Sequence, residues 1–186
     1  MRQISTANRF VAVSTAAFLA LAGLTACSSQ PIATSTPSAS ATNPYGGFKV
    51  DNPKDTDVVL TVIGTKSVNY TMGQLKTLAD QNISIIEPFV KKHQSFGGVA
   101  LKYLLESAGV KPTDKVDTVA LNQYEFADSA ANLESAGAIL AVSRDSKPIA
   151  MDEGGPIRLV FGSKSNYFSN LDAWNWSLRT IKVVSK

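Results

Sequence analysis

The chain has one cysteine, Cys27, and it stands where an apolar N-terminal run ends. One cysteine allows no intrachain disulfide and no cysteine-based metal cluster. A small fold built from this sequence therefore has to be held by its buried core. The run before Cys27 starts with Arg2 and Arg9, continues through small and apolar residues over 10–24, and closes on Leu24, Thr25 and Ala26. That is the layout of a secretory signal. It is shorter than the ~20 apolar residues a membrane-spanning helix needs, and Ser14 and Thr15 interrupt it. Residues 1–26 are expected to be a cleaved leader.

The four residues "LTAC" resemble the lipobox of bacterial lipoproteins. The resemblance implies a mature protein that begins at Cys27, acylated on its thiol and anchored on the extracytoplasmic side of a membrane in the bacterial cell envelope. More than one acyl chain would make that anchor stable, because a single chain binds only marginally. From Ser28 to Gly47 the sequence is Ser, Thr, Ala and Pro with no charge and almost no large apolar residue before Tyr45. Such a segment buries too little surface to offset its ordering entropy, so 27–47 reads as the lipidated cysteine and a spacer. The foldable part is then 48–186, enough for one domain with one core.

Charge excludes one class of partner. The chain has 18 basic and 15 acidic residues, and removal of Arg2 and Arg9 with the leader leaves 16 against 15, an excess of +1. With no basic run, nucleic acid is not an expected partner. Lys91-Lys92 reads as part of a solvated loop.

The folded part alternates strands and helices. "VVLTVIG" from Val58 predicts a strand, with a turn at Gly64 and a continuation to Tyr70. Thr71 followed by Gln74 reads as a capping box, so "TMGQLKTLAD" predicts a helix burying Met72, Leu75 and Leu78. "NISIIEPF" returns to a strand that Pro88 ends. Gly97 and Gly98 read as room for the chain to enter a helix, "VALKYLLESAG", closed by Gly109 in the left-handed position. "VDTVALN", "AILAVSR" and the segment 157–161 predict strands, and Asp145-Ser146-Lys147 predicts a hairpin turn into Pro148. The last segment, "AWNWSLRTIKVVS", alternates as a strand should. Trp174, Trp176 and Leu178 share one parity while Ile181 and Val183 share the other, so a bulge or bend is required near Arg179-Thr180. The expected class is α+β, a mixed β-sheet with a few packed helices.

In this order, "GGVALKYLLESAGV", "VDTVALNQYEF", "AILAVSRDSKPIAMDEGGPIRLVFG" and "WNWSLRTIKV" resemble the molybdopterin-binding domain of the sulfite oxidase superfamily. The resemblance spans most of 58–183 and implies that fold. Catalytic members of the superfamily hold molybdenum through a cysteine thiolate placed after the strand matching "NISIIEPF". Here Glu87-Pro88 stands at about that position, and Cys27 lies at the leader junction. Soft sulfur suits the metal, and nothing in this region replaces it. The chain is thus similar to small exported members of the superfamily that keep the sheet without the cysteine.

Three functions compete on this reading. A molybdopterin-dependent oxidoreductase, or its accessory subunit, has the fold in its favour and the missing ligand against it. A binding module tethered outside the membrane keeps the fold without the chemistry. A hydrolase would have to use His93, the only histidine, and Ser95 is too close in sequence to face it on a regular element. The binding module is the favoured reading, with a small ligand or an envelope protein as partner. No catalytic residue and no metal ligand is expected, and no cofactor, although the resemblance leaves molybdopterin open. The candidates for ligand binding are Glu87, His93, Tyr124, Arg144, Asp152, Arg158, Trp174 and Trp176. Asp152 and Glu153 precede "GGPIRLV", whose glycines and Pro156 read first as backbone geometry. Arg158 alternates with Ile157 and Leu159, which predicts the outer face of a strand.

Overall fold

The computed structural model describes residues 50–184. The leader, Cys27 and the spacer lie outside the described residues. β1 (Val58–Ile63) and β2 (Ser67–Thr71) form a hairpin, followed by α1 (Met72–Leu78), β3 (Gln81–Ile86), β4 (His93–Ala100) and α2 (Leu101–Ser107). Then come β5 (Lys115–Ala120), β6 (Glu125–Ser129), α3 (Ala130–Ser135), β7 (Ile139–Arg144), β8 (Lys147–Pro148), β9 (Arg158–Val160) and β10 (Leu178–Val183). The single sheet expected from the sequence is in fact two. One has the order β2-β1-β10-β5-β6, parallel only between β1 and β10. The other runs β3-β4-β7, with β8 and β9 both antiparallel to β7. β8 pairs at Ser143 and Arg144 while β9 pairs at 139–141. They are two pieces of one edge, and residues 149–157 are an excursion between them. The class is α+β, as expected.

Several elements form for the reasons the sequence offers. Thr71 caps α1 in a complete capping box, its hydroxyl accepting from Gln74 N and the Gln74 side chain accepting from Thr71 N. The helix buries Met72 and Leu75, with Leu78 half-buried. Gly109 has φ +71 just past α2, where glycine alone carries no steric cost. Asp145 and Ser146 both take positive φ, the geometry of a tight hairpin turn, and they join β7 to β8. In β10 the register shifts between Leu178 and Thr180, so Leu178 and Ile181 are both buried despite opposite parity.

Three expectations are corrected. Gly98 lies inside β4, not in a loop leading to a helix. A Cβ there would stand 2.2 Å from Leu140 O, so the glycine permits close strand approach at a register shift. The final strand begins at Leu178. Trp174 and Trp176 precede it in a turn that follows a 3₁₀ segment at Leu171–Ala173, and Ser177 with φ +51 breaks the extended run. Arg158 is fully buried. β9 is buried at all three positions, so alternation did not mean a wet outer face.

Candidate functional site

β3 ends at Ile86, and the next residue, Glu87, is fully buried. Its Oε2 accepts from the amides of Phe89 and Val90, both at 2.8 Å. Its own N–H donates to Lys92 O at 2.8 Å, and its carbonyl accepts from Lys91 N at 2.9 Å. One residue thus ties the turn 88–92 through both side chain and main chain, and Lys91 takes φ +56 within it. The other carboxylate oxygen, Oε1, accepts from Arg158 Nη2 at 3.0 Å. The Arg158 guanidinium carbon lies 4.2 Å from the centroid of the Trp176 ring, 5.6 Å from Phe96 and 5.8 Å from Trp174. Aromatic faces attract a cation, most strongly where both are desolvated. A charge pair, three rings and a turn therefore form one unit.

That unit backs an open groove of about 1220 Å³ with three walls. The first wall is the 88–92 turn. The second is the turn before β6, with Asn122 and Tyr124, and the third is the segment 171–176. Tyr124 donates to Asp172 O at 3.0 Å, joining the second wall to the third. Burial, aided by the Asp172 charge, raises its phenol above the usual range, so it stays a donor. Asn175 is fully buried, its Nδ2 donating to Thr118 O at 2.7 Å and Thr118 Oγ1 at 3.1 Å. Phe89 meets Trp176 edge-on, with centroids 4.6 Å apart, and Trp174 likewise at 6.1 Å. A smaller cavity of about 450 Å³, between β1, β10 and Met151, has no aromatic lining.

Of the residues singled out in the sequence, Glu87, Arg158, Trp174 and Trp176 come together, with Tyr124 on the same groove. His93 is exposed at the start of β4 and lies by another depression with Lys91 and Phe168. Arg144 forms an ion pair with Glu153 in the 3₁₀ turn Met151–Glu153. The next residue, Gly154, has φ +84, and a Cβ there would be 3.0 Å from the Trp176 ring. "MDEGGP" thus works as backbone geometry that closes over Trp176, and Asp152 does not line the groove. Sequence reasoning missed Phe89, Lys91, Lys92, Asn122, Asp172 and Asn175. The one local signal was "PFVKK", an aromatic residue and a lysine pair directly after the proline that ends β3.

Among the described residues no group of three or more His, Cys, Asp or Glu is placed to hold a metal ion, and no helix is long and apolar enough to cross a membrane. The family model of the oxidoreductase molybdopterin binding domain matches residues 46–170, a span that contains Glu87 and Arg158 and ends before Trp174. Comparison with curated proteins gives no match.

Proposed function

Because the chain belongs to the oxidoreductase molybdopterin binding domain family, we propose that it is a binding module built on that domain, tethered outside the membrane through Cys27, without molybdenum chemistry. The observation that carries this reading is the Glu87–Arg158 pair. It stands at about the position where the resemblance places a metal-binding thiolate. The carboxylate there has no solvent exposure and is already engaged by two amides and a guanidinium. A hard oxygen so engaged is not a soft ligand, and the chain's one thiol is at position 27. The residues present do not fit a protein-bound molybdenum centre. What they do instead is hold a turn, and that turn is one wall of the groove. Fold survives loss of chemistry, and a concave site with aromatic lining and a few polar groups is the usual form of a ligand site.

The test is to express the full chain in a host with an active molybdenum-cofactor pathway and purify it in detergent. Molybdenum is then measured by mass spectrometry and pterin by fluorescence after oxidation. The expected result is well-folded protein with far less than stoichiometric metal. Near-stoichiometric molybdenum with pterin would overturn the binding-module reading in favour of the oxidoreductase. Tethering is checked separately, by mass spectrometry of the N-terminal peptide for an acylated Cys27 and by its loss in Cys27→Ser.

A further inference from the structure

The groove's residues favour one ligand chemistry. None of its described lining residues belongs to a strand, so a peptide finds no backbone edge to extend. Phe89 stands edge-on to both tryptophans, so it forms with neither of them a parallel pair that would sandwich a flat heteroaromatic group. At about 1220 Å³ the groove exceeds the roughly 300–1,000 Å³ of small-molecule pockets, so it suits an extended ligand. Its polar groups are side chains on separate turns: Lys91 and Lys92 on the first wall, Asn122 on the second, Asp172 on the third, all exposed.

We infer that the groove binds an acidic oligosaccharide. Pyranose rings have apolar C–H faces that pack on aromatic rings, and Phe89, Tyr124 and Trp176 are each partly exposed here. Sugar hydroxyls donate to Asp172 and exchange hydrogen bonds with the Asn122 amide. Sugar carboxylates pair with Lys91 and Lys92 through charge-assisted hydrogen bonds, which are stronger than neutral ones. The lysine wall and the Asp172 wall differ in sign, so a chain with alternating acids and hydroxyls has a preferred orientation. The inference rests on the groove being a binding site, as proposed above.

Both tryptophans of the chain line this groove, so intrinsic fluorescence reports on its contents. The full chain in detergent is titrated with tetragalacturonate, with neutral maltotetraose and with tetraglutamate. The variant is Lys91→Asn/Lys92→Gln, with asparagine chosen because position 91 has positive φ. Tyr124→Ala is a second variant, and an unchanged urea midpoint shows that each is folded. Tetragalacturonate is expected to give a saturable change, weakened about ten-fold or more in the lysine variant and weakened again in Tyr124→Ala. Maltotetraose is expected to bind at least about ten-fold more weakly. The saccharide inference is overturned if tetragalacturonate gives no saturable change at millimolar concentration, or if the lysine variant binds it like the wild type. It is also overturned if maltotetraose or tetraglutamate binds as well, but that result keeps the groove as a binding site. Stoichiometric molybdenum in the preceding test would overturn the binding-module reading itself.

Discussion

Desolvating a carboxylate and a guanidinium costs several kcal/mol each, and attraction within the pair repays this only with good geometry and further hydrogen bonds. Glu87 and Arg158 meet that condition through two backbone amides on one side and the Trp176 ring on the other. Removing one partner leaves the other charge buried and uncompensated. Arg158→Met and Glu87→Gln are each expected to cost about 3–5 kcal/mol. The double variant should cost clearly less than the sum, because neither charge is then stranded. Urea denaturation of the three variants measures the coupling. Additive costs would mean that the two residues do not act as a pair.

The segment between β9 and β10 is held down by a latch of similar logic but nearer the surface. The Tyr167 hydroxyl donates to Asp128 at the end of β6, Asn132 of α3 donates to the same carboxylate at 2.8 Å, and the Tyr167 ring stacks on Phe161. Trp174 Nε1 donates to Tyr167 O at 3.1 Å, which joins the latch to the groove wall. Burial pushes Asp128 upward. The hydrogen bonds from Tyr167, Asn132 and Ser129, with the Lys115 charge, outweigh it and hold the carboxyl below its usual range. Burial first, and then Asp128, push the Tyr167 phenol up to about 12. A depressed carboxylate contributes stability that is present above the unfolded value near ~3.9 and is lost as pH falls through the lower folded value. A raised phenol contributes below ~10 and loses its contribution as pH rises through the folded value. Asp128→Asn should therefore flatten the acid limb, so that its urea midpoint falls less between about pH 5 and about pH 2 than the wild type's. Tyr167→Phe should lack the last phenolate step in an absorbance titration. Equal acid limbs would remove the latch from the account. None of this was legible in the sequence, because Asp128 and Tyr167 are far apart in the chain and meet only through the fold. By contrast α1, the α2 stop at Gly109 and the β10 bulge were legible. Each rests on residues within a few positions of one another, where capping, positive φ and parity act. β4 was missed because "HQSFGGVA" has little of the β-branched composition that marks a strand, and what holds it there is pairing to β3 and β7.

At the scale of the whole molecule, the site was half legible for the same reason. The sequence offered both Glu87, at about the place of the missing cysteine, and Arg158 as candidates, yet strand alternation placed Arg158 outside, since burial of both faces of β9 is decided by elements far away in sequence. The same long-range dependence applies to β10. It is the middle strand of its sheet, parallel to β1 and antiparallel to β5, and Thr180 pairs with Thr61 across most of the domain. Loop-closure entropy has to be met before such contacts give anything back, so completing this sheet requires the C-terminal strand to be brought between β1 and β5. A chain ending at 177 leaves β1 and β5 with open edges and takes away the buried Leu178 and Ile181. It also removes one tie next to the groove's third wall, the bond from Leu178 N to Ile157 O at 3.0 Å. That truncation is expected to show no cooperative urea transition. A chain ending at 184 keeps all of β10 and the bond from Val184 N to Lys115 O, and is expected to unfold at the wild-type midpoint. Circular dichroism across a urea series separates the two. Cooperative unfolding of the shorter chain would show that the sheet closes without its central strand, and the parallel β1–β10 pairing would then not be what holds the two ends of the domain together.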